Sequence, residues 1–426
     1  MKVPAFLVLL SATSLLAEVH TMTLRQALER ALAQNPDVML ARLDVTKSKA
    51  QSEQTRDPFA LKLGAGSGLA YTYGFPSSID GNAPSIFQVR GTMSLLDRAQ
   101  AYRVAQAVED EKGVGMAVTL RQQDVAYRVS TTFLDAELAA RSAAAAKRQA
   151  ESLRQVKQFT DVRVADGREL KVESTRANLN TLKAEDKAEE FAYVATNVEM
   201  ALAQLLGFPA GDKVRPALED RTQDALPITQ EQAVANALAD SVELRRLESN
   251  IRAKELEIKS YDATWLPKIN LVSQYSLLSK FNNFDTYYPR FQRNNYQVGA
   301  SIEFPLLTGK APKAGKAAAE TDIDKLRIEI ARTKARISGD IDQSYRDVQK
   351  AERTRNLSRA GLDLAREDFS VVLVQSDEGR ATLAQVEAAR AKEQEEWLLY
   401  YDSQRVVELA RLNVRKNTGT ILAGLQ

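Results

Sequence analysis

The chain has 426 residues, no cysteine, a single histidine (His20) and a net charge of +2 from 58 basic and 56 acidic residues. Disulfides and lipid attachment through a cysteine are therefore excluded, and a thiol nucleophile, a His-based triad and a soft-metal site are ruled out or nearly so. Charges of both signs are evenly mixed, which argues against a nucleic-acid surface. The Gly64–Gly68 run opens no helix, so it is no phosphate loop. No catalytic, cofactor-binding or metal residues are expected.

Residues 1–17 carry one lysine, an apolar run from Ala5 to Leu10 and a small residue at Ala17. They read as a secretory signal peptide, with a buried N-terminal helix as the alternative. No later stretch approaches 18 consecutive apolar residues, so no membrane-spanning helix is expected. The next segment places Leu24, Ala27, Leu28, Ala31 and Leu32 on one helical face, with Thr23 as N-cap and Pro36 as its end. A second helix over residues 38–56 stops at Pro58.

There the apolar period changes from helical to alternating. Phe59, Leu61, Leu63, Ala65, Leu69, Tyr71 and Tyr73 oppose Lys62, Gly64, Gly66, Gly68 and Thr72; Phe87, Val89, Met93 and Leu95 oppose Gln88, Arg90, Thr92 and Ser94. A strand pair is expected at 59–73 and 86–96, with Lys62, Arg90 and Thr92 facing water and Leu61, Leu69 and Val89 facing lipid. An Ala-rich helical hairpin over 98–206 follows. Its outward limb bears one stripe, Val118, Val125, Val129, Phe133, Ala136, Ala140 and Ala143, and breaks near Gly167. Its return limb repeats those steps from Val172 to Leu205. A continuous helix from Arg98 to Thr160, 63 residues, would run about 95 Å, too long for an ordinary globular domain.

Residues 207–227 contain Pro209, Pro216 and Pro227 and no clear period, and read as a linker. The whole order then returns. Thr229 and Gln232 form a capping-box pattern, a second helix ends at Pro267, and alternating segments are expected as strands at 268–278 and 295–304. They turn Gln274, Gln297 and Glu303 to the polar side. A second hairpin over 311–417 breaks near Gly379, and 418–426 form a tail. The aromatics of the second strand-joining loop, from Phe281 to Phe291, are either caps outside a membrane or residues that order a loop. The chain is thus an internal duplication with a period of roughly 200 residues, 18–206 and 228–417.

The strands have the length and aromatic ends of membrane-barrel strands, with a half-buried soluble antiparallel sheet as the alternative; as barrel strands, four cannot close when the smallest barrels have about eight. An open edge in lipid leaves backbone groups unpaired. Several copies must therefore pool strands, and three give about twelve.

Three stretches carry a family resemblance: Leu24-x-x-Ala27-Leu28-x-x-Ala31-Leu32-x-x-Asn35-Pro36, Leu202-Ala-Gln-Leu205-Leu206-Gly207, and the run from Tyr296 through Pro305 to Gly309. With the duplicated order of elements, the chain resembles an outer-membrane efflux protein of the TolC-like family. That resemblance implies a mainly α fold with a small β part. Long hairpins would form a periplasmic α-barrel, and each chain would give four strands to a trimeric 12-stranded outer-membrane β-barrel. It further implies an exit duct of a tripartite efflux or type I secretion system, in the outer membrane of a Gram-negative-type cell and spanning into the periplasm. Implied partners are two further copies, a periplasmic adaptor, an inner-membrane pump and outer-membrane lipid. A periplasmic coiled-coil adaptor and a structural spacer are the alternatives of a different class. Family tips resemble Gly-Leu-x-Thr-x-x-Asp-Val-Leu-x-Ala. Here Gln385 stands at the Asp position after Gly379 and Arg380, and Lys171 stands there after Gly167 and Glu169. These six are the tip or gate candidates. Either Gln385 bonds across a symmetry axis and Lys171 is free to pair with acidic neighbours such as Glu169 or Glu173, or both residues face solvent outside the tube. Lys62, Arg90, Thr92, Gln274, Gln297 and Glu303 are the lumen candidates.

Overall fold

The computed structural model describes residues 18–69, 73, 84–217, 229–279 and 292–422. The expected signal peptide, most of both strand-joining loops, the distal end of the first expected strand, residues 218–228 and the last four residues lie outside them. In chain order the elements are β1 (Val19–Met22), α1 (Leu24–Gln34), α2 (Pro36–Arg56), a 3-10 turn (Asp57–Phe59), β2 (Lys62–Gly68), β3 (Ser85–Leu96), α3 (Arg98–Ala165) and α4 (Lys171–Leu205). They continue as β4 (Lys213–Pro216), α5 (Gln230–Asp240), α6 (Val242–Asp262), β5 (Lys268–Leu278), β6 (Asn294–Glu303), α7 (Ala311–Asp377) and α8 (Leu383–Asn417). Two short helices, two strands and two long helices thus occur twice, in a chain that is mainly helical with a small sheet part. No described helix is long and apolar enough to cross a membrane.

The chain divides into two compact units. The first comprises Met1–Leu40, Leu120–Ser241 and Ala335–Gln426, and the second Ala41–Thr119 and Val242–Lys334. In the first unit, Ala27, Leu28 and Ala31 of α1 pack with Val125, Val129 and Phe133 of α3 and with Leu202 and Leu206 of α4. All of these side chains are buried, so the apolar face read from the sequence is the one that meets the long hairpin. The Asn35-Pro36 pair has a mechanism. Asn35 is buried; its Oδ1 accepts the N–H of Asp37 at 2.9 Å and its Nδ2 donates to the Leu205 carbonyl at 2.7 Å. It therefore caps α2 and also satisfies a carbonyl at the end of α4, while Pro36 occupies a helix start where no N–H is needed.

The region read as a linker contains β4, which pairs in parallel with β1 from Val19↔Lys213 to Met22↔Pro216. His20 stacks on Phe208 at 4.2 Å between ring centroids, and its Nε2 lies 3.3 Å from Asp212 Oδ2. The Asp212 carboxyl is held below its usual range, first by the Glu18 backbone N–H it accepts and then by His20. Within the C-terminal tail, Ile421 is buried in the same core.

In the second unit α6 and α7 approach closely at Gly315, where a Cβ would fall 2.5 Å from the Tyr261 ring. Lys316 bonds Asp262 at 2.8 Å and Lys254 reaches Asp322 at 3.2 Å. Ser249 of α6 donates to the Glu109 carbonyl of α3 at 3.2 Å. These contacts support a four-stranded antiparallel sheet with the order β2-β3-β5-β6.

Three register shifts depart from simple alternation, one of them between Ser85 and Phe87 on β3. A shift between Gly66 and Gly68 ends the regular pairing of β2. Leu69 therefore lies beyond the strand, which stops short of the expected residue 73. A third shift between Ser94 and Leu96 sets Leu96 opposite Ile269. The apolar-face position expected for Leu95 is thus taken by Leu96, because the bulge adds one residue to the count.

Candidate functional site

Cross-strand pairing gathers side chains that are far apart in sequence. Lys62 is opposite Thr92, Gly64 opposite Arg90 and Gly66 opposite Gln88. Arg90 is opposite Gln274, Gln274 opposite Gln297 and Lys268 opposite Glu303. Residues paired across strands share a face, so all six lumen candidates lie on one side of the sheet. The other side presents Leu63, Val89, Met93, Ile269, Leu271, Val298 and Ile302. β2 and β6 are the outer strands of this four-stranded sheet, so each has one edge unpaired in the single chain. At the end nearest the 3-10 turn, Lys62 is salt-bridged to Asp57, and Lys268 lies 3.4 Å from Asp97.

The hairpin tips are built by a common device. At the end of α3 the N–H of Gly167 donates to Val164 at 3.1 Å and that of Arg168 to Arg163 at 2.9 Å; at the end of α7 Gly379 donates to Ser376 at 3.0 Å and Arg380 to Gln375 at 2.8 Å. These are paired 5→2 and 6→1 bonds, and they require the left-handed glycine that both tips supply, at φ 72° and 71°. The turns differ in how the next helix starts. Thr382 caps α8: its hydroxyl accepts the Gln385 N–H at 3.3 Å and Gln385 Oε1 accepts the Thr382 N–H at 2.8 Å. Leu170 precedes α4 without any side-chain cap.

Gln385 is thus engaged in its own helix start, and the carbonyl oxygen that could accept a bond across an axis is already in use. Glu169 lies 3.2 Å from Arg163 and Glu173 lies 2.6 Å from Arg176. A pairing of Lys171 with these carboxylates is therefore not found; an arginine three or six residues away reaches each first. Lys171 has no ion-pair partner among the described residues. Arg380 pairs with Glu378 at 3.2 Å on an exposed surface.

Behind the tips, in the first unit, lies a groove of about 790 Å³ walled by α3, α4 and the start of α8. It is lined by Leu153, Thr160, Leu170, Glu173, Leu383 and Glu387, among others. Burial pushes the Glu387 carboxyl above its usual range, opposed by Arg390, whose guanidinium donates to Ser152 at 2.7 Å. Asp161 accepts the Ser174 hydroxyl at 2.5 Å and a Lys157 ammonium, and both hold it below its usual range. Sequence reading did not single out these groups. A signal was present: Glu387 sits in the run Ala384-Gln-Val-Glu-Ala-Ala389, where small neighbours let another helix approach a carboxylate. No cluster of three or more His, Asp or Glu able to hold a metal occurs among the described residues.

The site is therefore a sheet with one polar and one apolar face, attached to long helical hairpins. Residues 233–420 match the family model described as outer membrane efflux protein. That stretch is similar to the family, and the chain as a whole has the TolC-like fold. The Campylobacter jejuni CmeC outer membrane channel superposes with a TM-score of 0.77 at 13% identity, covering 93% of this chain and 85% of that one. A membrane protein from Pseudomonas aeruginosa gives 0.74 at 17% identity, covering 93% and 90%. The open-state Neisseria gonorrhoeae MtrE outer membrane channel gives 0.70 at 15% identity, covering 94% and 89%. No curated protein sequence matches the chain. The matched family is one of outer membrane efflux proteins, and the Campylobacter and Neisseria structures are outer membrane channels.

Proposed function

We propose that this chain is the outer-membrane exit duct of an efflux or type I secretion system. In this reading it is a passive homotrimeric channel whose strands pool into a 12-stranded barrel and whose hairpins line a periplasmic tube. The single observation that carries it is the sheet, with every charge on one face, apolar residues on the other and two unpaired edges. Alternate strands in the order β2-β3-β5-β6 run oppositely, so β6 of one copy can meet β2 of the next antiparallel and the ring can close without an edge. Lys62, Arg90, Thr92, Gln274, Gln297 and Glu303 then face the lumen. The tips at Gly167 and Gly379 form the periplasmic end and meet the adaptor, and through it the pump. Residues 1–17 act as the export signal for repeats 18–206 and 228–417.

Because the chain has no cysteine, single-cysteine labelling tests the assignment directly. In outer-membrane vesicles, a cysteine at Thr92 should react with a membrane-impermeant reagent and one at Val89 should not. Equal labelling at both positions would sink the barrel assignment.

A further inference from the structure

Four strands contain only four charged residues, Lys62, Arg90, Lys268 and Glu303, and all four share the polar face. Three of them are locally compensated. Lys62 is bridged by Asp57; Lys268 has Asp97 within reach and Glu303 as its register partner. All of these lie toward the end of the sheet that leads into the helices. Arg90 stands apart from them, in the cross-strand row Gly64–Arg90–Gln274–Gln297. It is exposed and has no acidic partner among the described residues. The row offers it no anion: one neighbour is a glycine, on which a Cβ would meet nothing within 4 Å, and the others are neutral amides.

We infer that Arg90 sets the charge preference of the channel and that the solutes it favours are anions. This rests on the duct reading above. In a ring of about twelve strands spaced about 4.8 Å apart and tilted about 40°, the backbone radius is about 12 Å. Three guanidiniums projecting inward from that wall would lie at one level of the bore. The Debye length at physiological salt is about 8 Å, so their fields overlap across most of the opening and are not screened out at its centre. Planar carboxylate and phosphate groups fit a guanidinium bidentately, which makes organic anions the favoured class over cations of the same size. The flanking Gln274 and Gln297 amides can hydrogen-bond the same groups without adding charge.

The test uses the full mature chain reconstituted in planar bilayers under a potassium chloride gradient. The wild type should show a reversal potential displaced toward that of chloride. Arg90→Glu should displace it toward potassium, and Arg90→Lys should leave it on the chloride side. Lys62→Gln should move it far less than Arg90→Gln, since Asp57 already offsets Lys62. Identical reversal potentials for wild type and Arg90→Glu, or a wild type that prefers potassium, would overturn this inference while leaving the duct intact. Absence of any conductance from correctly folded wild type would instead overturn the duct reading, and this inference with it. Circular dichroism and mass in detergent establish that each variant is folded and assembled as the wild type is.

Discussion

Gly167 and Gly207 have nearly the same backbone, φ 72° and 75°, but different surroundings. A Cβ at Gly167 would meet nothing within 4 Å, whereas one at Gly207 would fall 2.6 Å from the Gln34 carbonyl oxygen. Gly167→Ala should therefore cost only the left-handed backbone penalty, about 1–2 kcal/mol. Gly207→Ala should cost clearly more, because Gln34 lies at the end of α1, beside the core that α1 makes with α3 and α4. Denaturant midpoints of the two variants test the order, and equal losses would contradict it. Glu387 supplies a prediction of a different kind. Burial raises its carboxyl above the ordinary value, so the folded chain binds that proton more tightly than the unfolded chain does. The resulting stabilisation is complete below the ordinary carboxylate range and disappears as pH rises through the raised value. At neutral pH the ionised group is a net cost. Glu387→Gln should thus melt above the wild type at about pH 7 and lose that advantage at about pH 4. A pH-independent difference would show that the groove does not desolvate the carboxyl.

At the level of elements, the two tips end their incoming helices alike and start their outgoing helices differently. Thr382 and Gln385 satisfy one another's backbone N–H groups, whereas α4 starts after Leu170 with acidic Glu173 in its first turn as the only electrostatic help. Thr382→Ala should cost about 1 kcal/mol and speed amide exchange over residues 383–386, leaving residues 171–174 unchanged. Leu170→Asp should slow exchange at the first tip by supplying the missing acceptor. Hydrogen-exchange mass spectrometry reads both, and a Thr382→Ala effect spread evenly over both tips would refute a local cap.

Such punctuation is what made the helices legible in the sequence: proline, threonine and glycine sit where the backbone demands them. The Thr-x-x-Gln pattern at residues 382–385 is legible too, and it accounts for the local engagement of Gln385 with Thr382. β4 was not legible. Its four residues have no period of their own and are ordered by β1, which lies about 190 positions earlier. The polar sheet face could be read from alternation, but the bulge at Leu95 could not, since only the partner strand reveals an extra residue.

For the whole molecule, the single chain leaves two kinds of surface unfinished. In the second unit they are the edges of β2 and β6. In the first unit they are two apolar rows at heptad spacing: Val172 and Leu179 on α4, and Leu357, Leu364 and Val371 on α7, each of them half or more exposed. A step of seven is the seam along which helices of separate chains supercoil, and neither stripe is covered within the chain. In the proposed trimer, further copies would supply a partner for each sheet edge and for each stripe. Burying a leucine contributes about 1.5–3 kcal/mol, and a ring of three copies buries each stripe position three times over. Leu364→Glu places a carboxylate in every such seam, with no buried partner required within the chain. Its mass in detergent should fall from three copies to one while its helical circular dichroism stays that of the wild type. Leu179→Glu should do the same from the opposing helix. Retention of the full assembly by both variants would mean that these stripes face lipid, detergent or another protein rather than a second copy, and that the sheet edges alone hold the ring together.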